Sequence, residues 1–167
     1  MAHQSMQEYL LTLTGYHAWA FGALFEKLDA TSDLEYRDDA GLFFRSLHGT
    51  LNHLLVAEQV WFARLAKTTI PSLTLDQTIE SDRTTLQRAI SDHSVNWANW
   101  VRQADNEDLH NAVTYTNLSG NTFSDPPTQL IAHVVNHASH HRGQMSAVLS
   151  RLGHPTPEMD MIFFLRQ

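Results

Sequence analysis

The stretch that decides the fold is residues 125–153, which read DPPTQLIAHVVNHASHHRGQMSAVLSRLG. Asp125 can cap the start of a helix, and Pro126 suits the first helical position, where its missing N–H costs nothing. Gly153 suits the end of the helix, and Pro155 just beyond it cannot continue a helix. The pattern therefore predicts one long helix between these two signals.

Two histidines lie on or beside the apolar face of this helix. At about 100° per residue, His141 lies inside the apolar stripe and His137 lies about 40° to one side. Histidines at positions i and i+4 project from one face, so both imidazoles can reach one metal ion. The alternatives are two hydrogen-bonded core histidines, which would need two sets of buried polar partners, or a His133/His137 pair further from the stripe centre. We expect a metal-binding or catalytic role for this face.

Three further helices are predicted before this one. Apolar residues recur at spacings of three and four from about Gln4 to Leu28 and from about Leu42 to Lys67. The second stripe comprises Phe43, Leu47, Leu51, Leu54, Glu58, Trp61 and Leu65. Residues 74–77 have the form of a capping box and predict the start of the third helix. The inner face of that helix comprises Ile79, Leu86, Ile90, His93, Trp97 and Val101.

A short excursion separates the third helix from the last long one. Val113 and Tyr115 alternate with polar residues, and residues 119–121, Ser-Gly-Asn, are typical of a turn, so a small hairpin is predicted. The apolar tail, residues 158–167, is expected to pack back onto the helices. Four long helices predict an all-α protein, a four-helix bundle, as one domain over residues 1–167.

Composition excludes several classes of protein. The chain has 167 residues, a net charge of −7 and no cysteine, but 11 histidines. The negative charge makes direct nucleic-acid binding a poor expectation, and the lack of cysteine excludes disulfides and thiolate ligands. No apolar run is long enough to span a membrane, and the first residues do not resemble a secretory signal. We therefore expect a cytoplasmic protein.

Several motifs together resemble one known family. Residues 137–144, HASHHRGQ, resemble the signature of the DinB/YfiT-like superfamily of damage-inducible proteins and metalloenzymes. Three further stretches resemble elements of that family. They are residues 16–20 (YHAWA), residues 46–55 (SLHGTLNHLL) with Glu58 and Trp61, and the C-terminal residues Gly153, Pro155 and Asp160. The resemblance covers almost the whole chain. His17 departs from it, because the family usually has asparagine at that position.

The resemblance implies a four-helix bundle with a divalent metal ion held by His53, His137 and His141. Taken alone, His53 is an ordinary boundary histidine, although small residues beside it could leave room for a pocket. Three nitrogen ligands leave one coordination position open, as in catalytic sites. Such a site suits Zn, Ni, Fe or Mn, and the sequence does not decide among them.

Three more residues are candidates for the surroundings of the site. Gln144 lies beside His137 and is expected to hydrogen-bond a ligand or a substrate. Glu58 lies in an apolar stripe and must be paired, either with a histidine that it orients or with an arginine. His17 is a candidate for the pocket wall or for support of a ligand, or a satisfied core histidine.

Two classes of function remain open at this stage. The first is a metal-dependent enzyme for a small-molecule substrate, either a thiol-dependent S-transferase or isomerase that uses a low-molecular-weight thiol, or a hydrolase that uses metal-bound water. The second is a non-catalytic metal-binding stress-response protein in which the metal is structural. The resemblance also implies a homodimer.

Overall fold

The computed structural model describes residues 4–117 and 119–167. In chain order the elements are α1 (Met6–Leu28), α2 (Asp33–Arg37), α3 (Leu47–Leu65), α4 (Arg83–Gln103), α5 (Asn106–His110), β1 (Val113–Thr116), β2 (Thr122–Asp125), α6 (Pro127–Arg151) and α7 (Met161–Phe164). The four long helices are α1, α3, α4 and α6. The predicted all-α four-helix bundle is therefore confirmed. Within these residues, no helix combines the length and the apolar character that crossing a membrane requires.

The hydrophobic core lies between two pairs of helices. Both α1 and α3 pack against α4 and α6. Their buried faces form one cluster that includes Phe21, Leu51 and Met145, and a second that includes Leu10 and Ile131. Because α3 packs directly on α6, a side chain in the first turns of α3 can face the middle of α6.

The second long helix is shorter than predicted. It was expected from Leu42, but it begins at Leu47, where the Ser46 hydroxyl accepts a hydrogen bond from the Gly49 N–H at 2.9 Å. The preceding residues form a tight turn closed by a bridge between Leu42 and Arg45. The placement of Phe43 on the buried stripe was wrong, since this side chain is 85% exposed.

The third long helix begins later than the capping-box pattern predicted. Its N-cap is Asp82, whose side chain accepts from the Thr85 N–H at 2.8 Å, while residues 74–77 form only a turn. The reason lies on α3, where Asn52 Oδ1 accepts hydrogen bonds from the backbone N–H groups of Ile79 and Glu80. These N–H groups are bound to a side chain, so they do not join a helical ladder.

The structure contains the predicted hairpin, and the tail packs back onto the helices as expected. β1 and β2 are antiparallel, and Asp125 is the last residue of β2, where it pairs with Val113. Pro126 rather than Asp125 is therefore the N-cap of the last long helix, one residue later than predicted. The tail forms α7, and its Phe164 ring packs edge-on to Tyr16 of α1.

Gly49 is required by a close backbone approach. A Cβ at this position would overlap the carbonyl oxygen of Phe44 in the turn before α3. We expect Gly49→Ala to lower the free energy of unfolding by about 1–3 kcal/mol, because the turn must move. Urea unfolding followed by circular dichroism measures the change. Gly22→Ala is the control, since Gly22 is also helical but has open space around it, and it should be neutral or stabilising by up to about 1 kcal/mol. Equal stabilities of the two variants would contradict this account.

Candidate metal centre

Two of the long helices bring three histidines together. His53 lies in the second turn of α3, and His137 and His141 lie one turn apart on α6. One nitrogen from each of the three rings lies within 4.8 Å of the other two. The structure thus brings together the three residues that the sequence predicted as metal ligands.

Hydrogen bonds fix the ring orientation of two of these histidines. His53 Nδ1–H donates to the backbone carbonyl of Leu75 at 2.8 Å, and His141 Nδ1–H donates to Gln144 Oε1 at 2.8 Å. When Nδ1 carries the proton of a neutral imidazole, Nε2 carries a free lone pair. Both rings are therefore held in the tautomer that a metal ion requires.

The spacing of the ring nitrogens fits a shared ion. His53 Nε2 and His137 Nε2 lie 3.2 Å apart. Two nitrogen ligands at about 2.05 Å from a tetrahedral Zn²⁺ ion are separated by about 3.3 Å. Without a cation, at least one of these two nitrogens must carry a proton to avoid contact between lone pairs. The donor set therefore fits a divalent metal with a preference for imidazole.

Burial keeps the three imidazoles neutral at physiological pH. It lowers the pKa of each ring below its ordinary value near 6.5. For His137 the pKa falls to about 3, because burial is reinforced by the neighbouring rings of His141 and His53. A metal ion therefore has little competition from protons at these nitrogens.

An aromatic ring covers one side of the cluster. The Phe44 ring stacks on His53, with ring centroids 3.7 Å apart and planes at 14°, and it meets the His141 ring edge-on. Sequence analysis missed Phe44, because its spacing also suits the helical stripe. The only available signal was Ser46, a good N-cap residue two positions later.

A cavity opens on another side of the cluster. Its volume is about 360 Å³, and its wall includes His53 and His137. The rest of the wall comes from His133 of α6, from α3, from the connection before α4 and from the hairpin turn, and it includes Val56, Ala57, Val60, Trp61, Arg64 and Leu73. This volume suits a small molecule. Arg64 was also missed, because a single arginine near a helix end carries no distinctive pattern.

The other predicted residues lie in two places. Gln144 hydrogen-bonds His141, one of the three predicted ligands, rather than the neighbouring His137. His17 and Glu58 instead bond to each other at 2.8 Å in the interior of the bundle, and the Trp97 indole N–H also donates to Glu58. The carboxylate is thus paired with a histidine, but among the described contacts neither residue bonds to the three clustered rings.

The alternative pair, His133 and His137, is in contact, but only His137 belongs to the close group of nitrogens. His133 is exposed and stacks beside His137 at 5.9 Å between ring centroids, and it also meets Trp61. It does not join the group of three close nitrogens. His140 is likewise exposed and contacts Gln144.

Comparisons with known proteins agree with the sequence motifs. The model of the DinB family matches residues 6–167. The chain is also similar to the protein DinB of Bacillus subtilis (strain 168), with 24% identity over 166 residues, 96% of this chain and 95% of the relative.

The metal content of single-histidine variants should distinguish the metal ligands from the histidines that do not bind the ion. We expect protein purified without a histidine tag to bind about one divalent ion per chain. His53→Ala, His137→Ala and His141→Ala should each lose most of this metal, because two imidazoles hold an ion far more weakly than three. His133→Ala is the matched control on the same helix and should retain it. Elemental analysis after dialysis measures the content. Equal loss in all four variants, or no metal in the wild type, would contradict the assignment.

The metal-free protein should lose stability as the pH falls from about 7 to about 5. The native pKa of His137 is about 3, whereas in the unfolded chain it is near 6.5. Between the two pKa values the unfolded state therefore binds more protons than the native state, and the loss of stability accumulates as the pH falls towards the native pKa. Urea unfolding at several pH values measures this slope. His137→Gln removes the titrating ring and should flatten the slope, and an unchanged slope would argue against a neutral His137.

Proposed function

The chain belongs to the DinB family, and on that premise we propose that it is a metal-dependent enzyme acting on a small molecule. His53, His137 and His141 hold a divalent ion in this proposal, with Zn, Ni, Fe or Mn as candidates. When bound, such an ion lowers the pKa of a water molecule or a thiol at its remaining position and so supplies a nucleophile near neutral pH.

The observation that carries the proposal is the cavity beside the histidines. Two of the three rings, His53 and His137, form part of its wall. A structural site is closed by protein ligands, whereas a catalytic site needs an open position that solvent and substrate can reach. The cavity therefore favours a catalytic role over the alternative of a stress-response protein in which the metal only braces the bundle.

The residues around the three histidines and the cavity have distinct tasks. Leu75 and Gln144 hold two of the ligand rings by hydrogen bonds, so that little rearrangement is needed when the metal binds. Phe44 shields one face of His53 from water. Val56 and Val60 give the cavity an apolar wall, which limits the number of water molecules that compete with a substrate.

Among reaction types we favour thiol-dependent transfer or isomerisation over hydrolysis. An apolar wall suits a low-molecular-weight thiol, whose sulfur is weakly hydrated and is a soft ligand for a divalent ion. Hydrolysis remains the second candidate, because the same site can activate water.

Assembly as a homodimer is also part of the proposal. The α7 segment exposes the apolar side chains of Ile162, Phe163 and Leu165, each more than 40% accessible. Apolar surface of this kind is often covered by a second chain. A molar mass of one chain by light scattering would contradict this part.

Filling the cavity tests the catalytic role. Ala57 lines the cavity one turn after His53, so Ala57→Phe should leave the three ligands in place but block access to the metal. In the Co²⁺-loaded protein, mercaptoethanol should change the visible absorption of wild type, and the variant should bind the thiol about tenfold more weakly or worse. Both should carry equal Co²⁺.

Ala147→Phe, at an exposed position of α6 outside this cavity, is the control and should respond like wild type. The same proteins are then assayed for thiol transfer to chlorodinitrobenzene and for ester hydrolysis. A wild type whose Co²⁺ spectrum does not respond to any thiol, and which turns over neither substrate, would favour the structural metal.

A further inference from the structure

Arg64 is a buried cation with no acidic partner in the described part of the chain. Its side chain is 7% exposed, and among the described residues no carboxylate forms an ion pair with it. The structure shows one hydrogen bond from the guanidinium, a long one of 3.4 Å from Nη2 to the Thr116 carbonyl. The Nε–H group is buried and has no hydrogen-bond partner among the residues that the structure describes. A guanidinium carries five N–H donors, so most of its capacity is unused.

Two aromatic rings hold this guanidinium in a fixed position. Its central carbon lies 4.4 Å from the Trp61 ring centroid and 4.9 Å from the Tyr115 ring centroid. Tyr115 is itself anchored, because its hydroxyl donates to Asp125 at 2.8 Å. Asp125 is thus engaged with Tyr115, and it forms no ion pair with Arg64 among the contacts of the described residues. Stacking of this kind orients the planar fork of an arginine before any ligand arrives.

Arg64 lies in the wall of the same cavity as His53 and His137, two of the three clustered histidines. His53 and Arg64 are eleven residues apart on α3, which corresponds to three turns and places them on one face. The rise between their Cα atoms is about 16 Å, and the backward tilt of helical side chains brings the guanidinium closer to His53. Between them the wall contains the apolar side chains of Val56 and Val60.

An unpaired buried charge is costly, and within an acidic chain it is also unusual. Burial lowers the pKa of Arg64, and the neighbouring Tyr115 opposes this shift. The chain carries 18 acidic and 11 basic side chains, so carboxylates for a structural ion pair are not scarce. A guanidinium that is oriented, buried and left unpaired in a cavity is well suited to bind an oxyanion, for which bidentate hydrogen bonds are available.

We propose that Arg64 is an anion-binding residue of the substrate cavity, and that the substrate is an acidic small molecule whose carboxylate lies on Arg64 while its reactive end faces His53, His137 and His141. The substrate class rests on the proposed function, whereas the anion subsite itself does not require a metal. A purely structural Arg64 would brace β1 against α3 and show no preference for charged ligands.

The first experiment uses metal-free protein and a probe without a thiol. Hexanoate should shift the ¹⁵N resonance of the Arg64 Nε–H group in wild type, and uncharged hexanamide should not. The resonance is assigned by its absence from Arg64→Lys. No response to hexanoate would overturn the anion subsite, whatever the metal site does.

The second experiment uses Co²⁺-loaded protein and a matched pair of thiols. Wild type should bind 6-mercaptohexanoate about tenfold or more tightly than 6-mercaptohexanamide, read from the visible absorption of Co²⁺. Arg64→Gln should abolish this preference, and Arg64→Lys should reduce it, because an ammonium keeps the charge but not the planar fork. Arg88→Gln removes the same charge from an exposed position outside the cavity and should leave the preference unchanged.

The outcomes separate the two proposals. Tight binding of both thiols with equal affinity would overturn the role of Arg64 and leave the metal-dependent function standing. A response to hexanoate with no Co²⁺ response to either thiol would support the anion subsite and contradict the metal-dependent function. If Arg64→Gln does not fold, Arg64→Lys and the resonance measurement still decide, since either an unchanged preference in Arg64→Lys or the absence of a hexanoate shift overturns the proposal.

Discussion

The rest of the structure depends on how the buried carboxylate of Glu58 is satisfied. A carboxylate that is 1% exposed must find donors or lose several kcal/mol of stability. Its donors come from His17 on α1 and Trp97 on α4, and the guanidinium of Arg142 on α6 contributes an opposite charge nearby. One interior group thus relates all four long helices. Glu58 follows His53 by five residues on α3, and Arg142 directly follows His141 on α6. The helix register that satisfies the carboxylate is therefore the register that aligns the three clustered imidazoles.

Two irregular segments, the connection before α4 and the turn before α3, supply further contacts to the clustered histidines. Asn52 and His53 are neighbours on α3, and both bind the connection that precedes α4, through the N–H groups of Ile79 and Glu80 and through the carbonyl of Leu75. The connection is therefore held against α3 by hydrogen bonds, and one of these bonds fixes the tautomer of His53. On the other side, the absence of a side chain at Gly49 lets the turn carry Phe44 onto the same imidazole. Both irregular segments therefore contact the His53 ring.

These contacts show why some features could be predicted from the sequence and others could not. His137 and His141 were found because a helix converts a spacing of four into a shared face, and this relation is local. His53 needed the family resemblance, since nothing near it in sequence distinguishes it. The start of α4 was misplaced because the side chain that prevents an earlier start, Asn52, lies 27 residues away from Ile79. Phe44 was missed because apolar spacing alone does not reveal that Ser46 begins the helix two residues later. Periodicity reports the interior, whereas the site is completed by contacts distant in sequence.

The cavity also contains two separate departures from what stability alone would favour. First, three imidazoles are buried close together, and burial lowers the pKa of each. Second, the guanidinium of Arg64 is buried without an ion-pair partner among the described residues. A single substitution could remove either departure. An apolar residue in α6 would remove the first, and a carboxylate on the adjoining hairpin that pairs with Arg64 would remove the second. The Asp125 carboxylate on this hairpin is instead bound to Tyr115. His53 and His137, two of the three rings, lie with Arg64 in the wall of a single cavity, and the two departures are relieved by ligands of opposite character, since a cation satisfies the imidazoles and an anion satisfies Arg64. A structural brace would explain the first departure alone. A cavity that takes a metal ion at one end and an acidic molecule at the other accounts for both.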